Sequence, residues 1–458
     1  MLIQKKPENI LYSDIIVFVT TCILFITTGI SFGEAFVESK GLSSGNAYFH
    51  KLLEPVIEHH ERIQVAQEAV LKAREQIRIS LGGRYPKLDL KIEAGREDNS
   101  GKIDPEHYND INLKLNQLLW DFGKTDATIE KSRRELKSSE LNLQKVRQKF
   151  ILDAVMAYQK LHRAYKVLQF TMESEENIRH QTGLEEIRVA EGFGYTTDVL
   201  QSKSQLASTI SRRLRNEGDY YMAQSAYLET FDTLPDNIDK LRPLDMDQCI
   251  TLAEDLNAIL EIALRQNIEL QLARNQKKIA EIELQKEKDS ALFPDINFTL
   301  EGSIAENYDA VFGSTKDYKA MVTLKKSINL GLTEKNKISA ASHNLIKERH
   351  QVADRERIIE KTVRMAWHRL KTVEATTQTL AQQAQLTAAF LELARKERAL
   401  GNRSLMDILA GETSLINAKS DSYVAKTDIS LAICSLLETT GQLELEMFKK
   451  SKSNNESR

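Results

Sequence analysis

The chain has 458 residues, enough for two or three ordinary domains, so length alone excludes little. Composition excludes more: 28% of the residues are charged, 7% are aromatic and only 7 are proline, which is the mix of long solvated helices and not of a compact enzyme core. A formal net charge of -3, with no basic block and no aromatic stripe among basic residues, sets nucleic acid aside as a partner.

The amino terminus carries Lys5 and Lys6, an apolar run from Ile15 to Phe32, and small residues at Ser31, Gly33 and Ala35. This pattern predicts an export signal over residues 1–34, the alternative being a retained anchor, since about 18 apolar residues can span a bilayer. Cys22 lies in Val19-Thr20-Thr21-Cys22, a poor lipoprotein signal, and more apolar residues follow it. Cys22, Cys249 and Cys434 show no metal-ligand spacing, and nothing in the sequence pairs Cys249 with Cys434.

Two copies of one unit follow, spanning 35–233 and 256–443, with 234–255 as a linker and 444–458 as a polar tail. Pro86 opens Pro86-Lys87-Leu88-Asp89-Leu90-Lys91-Ile92-Glu93, and Pro294 opens Pro294-Asp295-Ile296-Asn297-Phe298-Thr299-Leu300-Glu301. Phe122-Gly123 aligns with Leu330-Gly331, and Gly192…Asp198-Val199-Leu200 with Gly401…Asp407-Ile408-Leu409. Each copy is expected to hold a helix of about 30 residues (50–82 and 256–291) and two strands (85–95 and 109–120; 294–303 and 318–329). A very long helix (124–190 and 334–398) and a returning helix (197–232 and 404–440) complete it.

No proline falls between Pro105 and Pro235 or after Pro294, so nothing interrupts the long helices. Along them Ile129, Leu136, Leu143, Phe150, Ala157 and Ala164 recur every seven residues. Ile338, Leu345, Val352, Ile359, Ala366, Val373 and Leu380 do the same in the second copy, the period of helices that supercoil against neighbours.

The strands alternate. Leu88, Leu90 and Ile92 face one way with Asp89, Lys91 and Glu93 the other, and Ile111, Leu113 and Leu115 alternate with Asn112, Lys114 and Asn116. At about 10 residues such segments fit tilted membrane strands with lipid on one face and water on the other, or a half-buried pair in a soluble sheet. Aromatics favour the membrane. Tyr85, Trp120, Phe122 and Phe293 stand where strands meet helices, and Tyr108, Tyr308, Phe312 and Tyr318 lie toward the loops, as two interfacial girdles require. Four strands cannot close a barrel alone, so a spanning chain must oligomerise, with its soluble helices on the periplasmic side.

This pattern, with the phrase Leu115-Asn116-Gln117-Leu118-Leu119-Trp120-Asp121-Phe122-Gly123, resembles the TolC family of outer-membrane export ducts over about residues 50–443. The resemblance implies a mostly α fold with a small β part: a homotrimer in which a coiled-coil helical barrel continues a twelve-stranded transmembrane β-barrel, four strands per chain. It implies outer-membrane lipid, a periplasmic adaptor and an inner-membrane transporter, ABC or RND, as partners, and no cofactor or metal.

By the same resemblance the turns containing Gly192, Gly194 and Gly401 close the tunnel. Asp407 would contribute a ring of carboxylates, and Arg403 would link to Thr197 and Asp198 on a neighbouring helix. Each residue also has a capping reading: Ser404 with Asp407 forms a capping box, and Thr196 or Thr197 can cap the other returning helix. Ala410 and Arg398 depart from the family pattern, which has a second acidic residue and a tyrosine there.

No nucleotide, hydrolase or metalloprotease motif is present, and His59, His60, His343, His350 and His368 lack converging ligands, so no catalytic residue is expected. The reading is a passive duct for type I protein secretion of an adhesin-like or toxin-like cargo, favoured by the missing lipoprotein cysteine. Its alternatives are a drug or metal efflux duct of an RND-type pump and an anchored coiled-coil envelope scaffold.

Overall fold

The computed structural model describes residues 45–97, 106–235, 237–246, 255–307 and 313–449. The expected export signal, Cys22, Cys249, Tyr308, Phe312 and the end of the tail lie outside the described residues. From Gly45 onward the elements are α1 (Gly45–His59), α2 (Glu61–Leu81), β1 (Lys87–Glu97), β2 (Glu106–Trp120), α3 (Lys124–Ala190) and α4 (Thr196–Phe231). The second copy supplies α5 (Leu256–Gln266), α6 (Ile268–Leu292), β3 (Asp295–Glu306), β4 (Ser314–Lys325), α7 (Thr333–Ala399) and α8 (Leu405–Thr440).

The duplication is exact in length for the hairpins: α3 and α7 have 67 residues each, α4 and α8 have 36 each. At ~1.5 Å per residue the two long helices run about 100 Å. The heptad seams face inward, with Ile129, Phe150 and Ala157 buried on α3 and Leu345 and Ile359 buried on α7.

The first helix of each copy is not continuous, contrary to the expectation from sequence. His60 and Asn267 both adopt extended backbone, at ψ 133 and ψ 127, and each starts a new helix by accepting a backbone N–H through its side chain. His60 Nδ1 accepts from Arg62 N at 3.2 Å, and Asn267 Oδ1 from Leu270 N at 3.1 Å while its Nδ2 donates to Thr439 O at 2.7 Å. Helical periodicity runs unbroken through such a cap, because side-chain capping competes with the helix without changing the apolar spacing. The fourth strand also shifts, ending at Lys325 instead of 329.

The packing order across the chain is α2, α3, α6, α7 near the sheet and α4, α3, α8, α7 toward the far turns. The largest core lies at mid-length. There Phe49 meets Tyr158, Phe231 and Phe448 at 5.3, 6.3 and 4.9 Å, and Tyr227 stacks on Phe231 at 4.3 Å. The segment 241–246 is held on this core, with Tyr158 Oη donating to Arg242 O at 3.0 Å and Asp245 N donating to Asn46 Oδ1 at 2.9 Å. Gly441 ends α8 at φ 78 and is pressed so close to Gln266 that a Cβ would stand 2.6 Å from the Gln266 carbonyl.

Candidate functional site: the bare sheet and the closed end

The four strands form one antiparallel sheet in the order β1-β2-β3-β4, so its two edges are β1 and β4. The register aligns Leu90, Leu113, Gly302 and Tyr318 in one cross-strand row and Leu88, Leu115, Leu300 and Ala320 in the next. This face is bare: Leu90 is 63% exposed, Ile92 66% and Val322 65%. The opposite face carries the row Asp89, Lys114, Glu301, Lys319, alternating in sign across all four strands. It is laced together, with Asn112 Nδ2 donating to Glu301 at 2.8 Å and Thr299 Oγ1 donating to Asn116 at 2.9 Å.

An uncovered apolar sheet face of this extent is a membrane or partner surface. Among the described residues no helix is long and apolar enough to cross a membrane.

Aromatics gather at the strand–helix joint. Phe122 stacks on Phe293 at 4.5 Å, Trp120 meets Phe122 edge-on at 6.2 Å, and Tyr85 is exposed at the α2–β1 junction. Tyr318 stands within the apolar rows, one row in from Ile92, Ile111 and Ile304, opposite Gly302. Asp121 starts α3, its carboxylate accepting from Gly123 N at 3.1 Å and Thr125 N at 2.6 Å. Lys124 fastens the joint from the first copy to the second, its Nζ donating to Phe293 O and Asp295 at 2.9 and 2.7 Å, and within the second copy Lys326 Nζ donates to Ser290 O and Ala291 O at 2.7 Å each.

At the far end both hairpins turn through a left-handed glycine, Gly192 at φ 81 and Gly401 at φ 82. Each ends its long helix in the same way: Gly192 N and Phe193 N donate to Val189 O and Arg188 O at 3.1 and 2.8 Å, and Gly401 N and Asn402 N to Arg398 O and Glu397 O at 3.0 Å each. Gly194 packs on Val189, where a Cβ would come within 2.9 Å.

The returning helices start differently. Ser404 Oγ accepts from Asp407 N at 3.2 Å, as the capping reading expects. Neither Thr196 nor Thr197 caps α4; its N-cap is Tyr195, the equivalent of Ser404 in a turn of the same length, with no side-chain cap bond.

Arg403 stays within its own hairpin, 3.0 Å from Glu397 and 3.8 Å from Asp407, with its guanidinium over the Phe390 ring at 5.4 Å. Among the described residues no hydrogen bond or ion pair joins it to Thr197 or Asp198. The tie between hairpins falls instead on Arg398, which donates to Glu185 at 2.7 Å and to Arg403 O at 3.1 Å. Glu185, 2% exposed, is also 3.1 Å from Arg188. A second buried carboxylate, Glu412 on α8, pairs with Arg395 on α7.

Sequence reasoning missed both buried carboxylates, yet each left a signal. Glu185 follows Ile178 by seven residues, and Glu412 follows Leu405 by seven, so each places a charge on an apolar seam.

The family described as outer membrane efflux protein matches residues 52–227. The outer membrane efflux protein BepC of Brucella suis is 21% identical over 392 residues, spanning 84% of this chain and 82% of that protein. Over residues 52–227 the chain matches the family of outer membrane efflux proteins, and its likeness to BepC extends over most of its length.

TolC of Escherichia coli is 22% identical over 328 residues, covering 68% of this chain and 64% of that one. Among solved structures the fold matches CusC with a TM-score of 0.77 at 17% identity, covering 89% of this chain and 95% of that one. It matches the Campylobacter jejuni channel CmeC at 0.75 and 15%, covering 91% and 92%. The matched family, the curated relatives and the fold agree on an outer-membrane efflux channel, a passive duct with a periplasmic helical part.

Proposed function

We propose that three copies of this chain form the exit duct of a tripartite exporter, receiving cargo from an inner-membrane transporter through a periplasmic adaptor. The observation that carries this reading is the four-stranded sheet: one face bare and apolar along its central rows, one face charged, and two open edges. An open edge in lipid leaves backbone groups unpaired at a cost of several kcal/mol each, so β4 of one copy must pair with β1 of the next until the ring closes. Such head-to-tail contacts give closed rings when the rotation closes. Three copies supply twelve strands.

The far turns are the closed end. Asp407 is half exposed at the start of α8, and in a closed ring it would contribute one carboxylate per copy near the turns, attracting cations and hindering anions. Arg398 and Glu185 hold the second hairpin to the first and take the role that Arg403, Thr197 and Asp198 were expected to fill. A buried pair broken at one partner leaves an uncompensated charge. Arg398→Ala should therefore loosen the closed end and raise single-channel conductance in planar bilayers, and Asp407→Ala should lower cation preference. Unchanged conductance and selectivity in both variants would reduce these residues to helix-end packing.

Two cargo classes suit the duct. A secreted protein passed on by an ABC transporter agrees with the absence of a lipid-anchor pattern at Cys22, and small molecules passed on by an RND pump agree with the efflux names of the relatives. We place the secreted protein first. Deleting the gene and comparing the secreted proteins with the drug and metal sensitivity of the cell separates them: lost secretion with unaltered sensitivity supports the first, and the reverse supports the second.

A further inference from the structure

Along the bare face of the sheet the chemistry changes with distance from the helices. Near them Phe298 stands opposite Val322, and the next row is Leu88, Leu115, Leu300 and Ala320. Further out Ile92, Ile111 and Ile304 share a row with Lys316, and at the far end Arg96 stands directly opposite His107. Between these two rows lie Asn109, Glu306 and Ser314, so a single carboxylate accompanies the three basic side chains. Arg96, His107 and Lys316 are all exposed.

The cations at the two ends of the sheet differ in their partners. At the helix end Arg84 pairs with Asp126, Lys124 with Asp295, and Lys326 donates to carbonyls of α6. Among the described residues no carboxylate pairs with Arg96 or Lys316.

Height also separates the two ends. β2 runs 15 residues from Glu106 to Trp120. That is about 50 Å of strand and, at a tilt near 45°, about 35 Å of vertical rise. With Trp120 at the inner boundary of a hydrocarbon layer of about 30 Å, His107 and Arg96 stand at the outer boundary. Lys316 lies two rows lower, and its four-carbon stem lifts the ammonium toward the same level.

We propose that Arg96 and Lys316, with His107 beside them, bind the phosphate groups of a phosphorylated glycolipid in the outer leaflet. Charge complementarity selects this occupant, since an otherwise apolar face turns basic at the level where such a lipid carries its phosphates. The guanidinium fork matches two phosphate oxygens, and the lysine adds a mobile point charge. The inference rests on the channel reading: pairing β4 with β1 of the next copy sets Lys316 on the strand beside Arg96 and gathers cations from opposite edges of the sheet. A competing use of these charges is to blunt an exposed strand edge. An edge guard is indifferent to phosphate, and a headgroup site is not.

The test uses the full-length protein in phosphatidylcholine vesicles containing either diphosphorylated lipid A or the same lipid stripped of its phosphates. Lipid A retained per oligomer after detergent extraction is measured by mass. The unaltered protein should retain the phosphorylated lipid in preference to the stripped one. Arg96→Gln and Lys316→Gln should each lower that retention about fivefold, the worth of one basic residue at an anionic surface. Lys319→Gln, on the opposite face of the sheet, should leave it unchanged. Equal retention of both lipids, or undiminished retention in both single variants, overturns the headgroup site and leaves the channel standing. Displacement of the lipid by millimolar inorganic phosphate assigns the site to a dissolved anion and overturns it likewise. Failure of the unaltered protein to form a heat-resistant oligomer in the vesicles overturns the channel reading itself.

Discussion

Helices α4 and α8 are copies of one element, equal in length and 209 residues apart, yet they live in different surroundings. α8 packs between α7 and α3 and buries residues all round, with Ala432, Ile433, Cys434, Leu436 and Leu437 all inside. α4 packs on α3 and buries a single seam, Ser202, Thr209, Ala223, Tyr227 and Phe231. Duplication therefore preserved the backbone plan and not the environment: one copy became interior and the other an edge. The edge copy leaves Leu200, Leu214, Tyr221 and Leu228 exposed along one line of the helix.

The sharpest way to break that comparison is to shorten the same leucine in both copies. Leu437 is 1% exposed and its counterpart Leu228 is 44% exposed. Leu437→Ala should cost about 2–5 kcal/mol of chain stability by opening a cavity. Leu228→Ala should leave folding of the chain within about 0.5 kcal/mol and lower only the temperature at which the oligomer dissociates. Thermal melts of the oligomer and of detergent-dissociated chain measure both, and equal losses in the chain would contradict the edge assignment of α4.

The sheet offers the second test, because its two faces differ as much as the two helices do. Leu113→Arg places a charge on the bare apolar face and should cost about 2–4 kcal/mol per copy near the bilayer midplane. The expected result is loss of the heat-resistant oligomer from the outer-membrane fraction on an unheated gel. Lys114→Gln, one residue away on the charged face, should keep the oligomer and alter ion selectivity alone.

How far the sequence foretells this architecture depends on what kind of interaction is at stake. The repeat, the long helices and the strand faces were legible because they rest on period: seven for Ile129 through Ala164, two for Leu88 through Ile92. The breaks at His60 and Asn267 were not, since a side-chain cap leaves the apolar period intact on both sides of it. Within the chain Arg403 pairs with Glu397 in its own hairpin, and the tie between hairpins runs through Arg398. Whether Arg403 reaches Asp198 or Glu397 is decided by three-dimensional proximity between hairpins, and Arg398 read only as a departure from pattern until Glu185 was seen buried 2.7 Å away.

Mid-length burial predicts a pH dependence that distinguishes the interior core from the edges. His162, 2% exposed on α3, has its pKa lowered to about 4, first by burial and then by the nearby Lys166 charge, and it lies 2.9 Å from Tyr423 Oη. The neutral ring is the folded form. The stability it contributes is present in full above the unfolded value near 6.5 and is lost as pH falls toward 4, because the unfolded chain binds the proton first. Melting temperature should therefore decline through that window, and His162→Gln should flatten the decline, as a pH series of thermal melts will show.

The smallest expected effect returns to the two turns. Ser404 caps α8 with its hydroxyl, and the equivalent position at the start of α4 is Tyr195, which has no side-chain acceptor for the free N–H groups and is 77% exposed. Ser404→Ala should cost about 1 kcal/mol, the ordinary worth of a serine cap. Tyr195→Ser should gain a comparable or smaller amount, since its backbone already holds the extended conformation of a cap at φ -100 and ψ 136. Hydrogen exchange of the first amides of α4 and α8 reads both changes locally. If Tyr195→Ser instead loosens the oligomer, the exposed ring belongs to a contact with a neighbouring chain, and the difference between the two turns is one of assembly and not of capping.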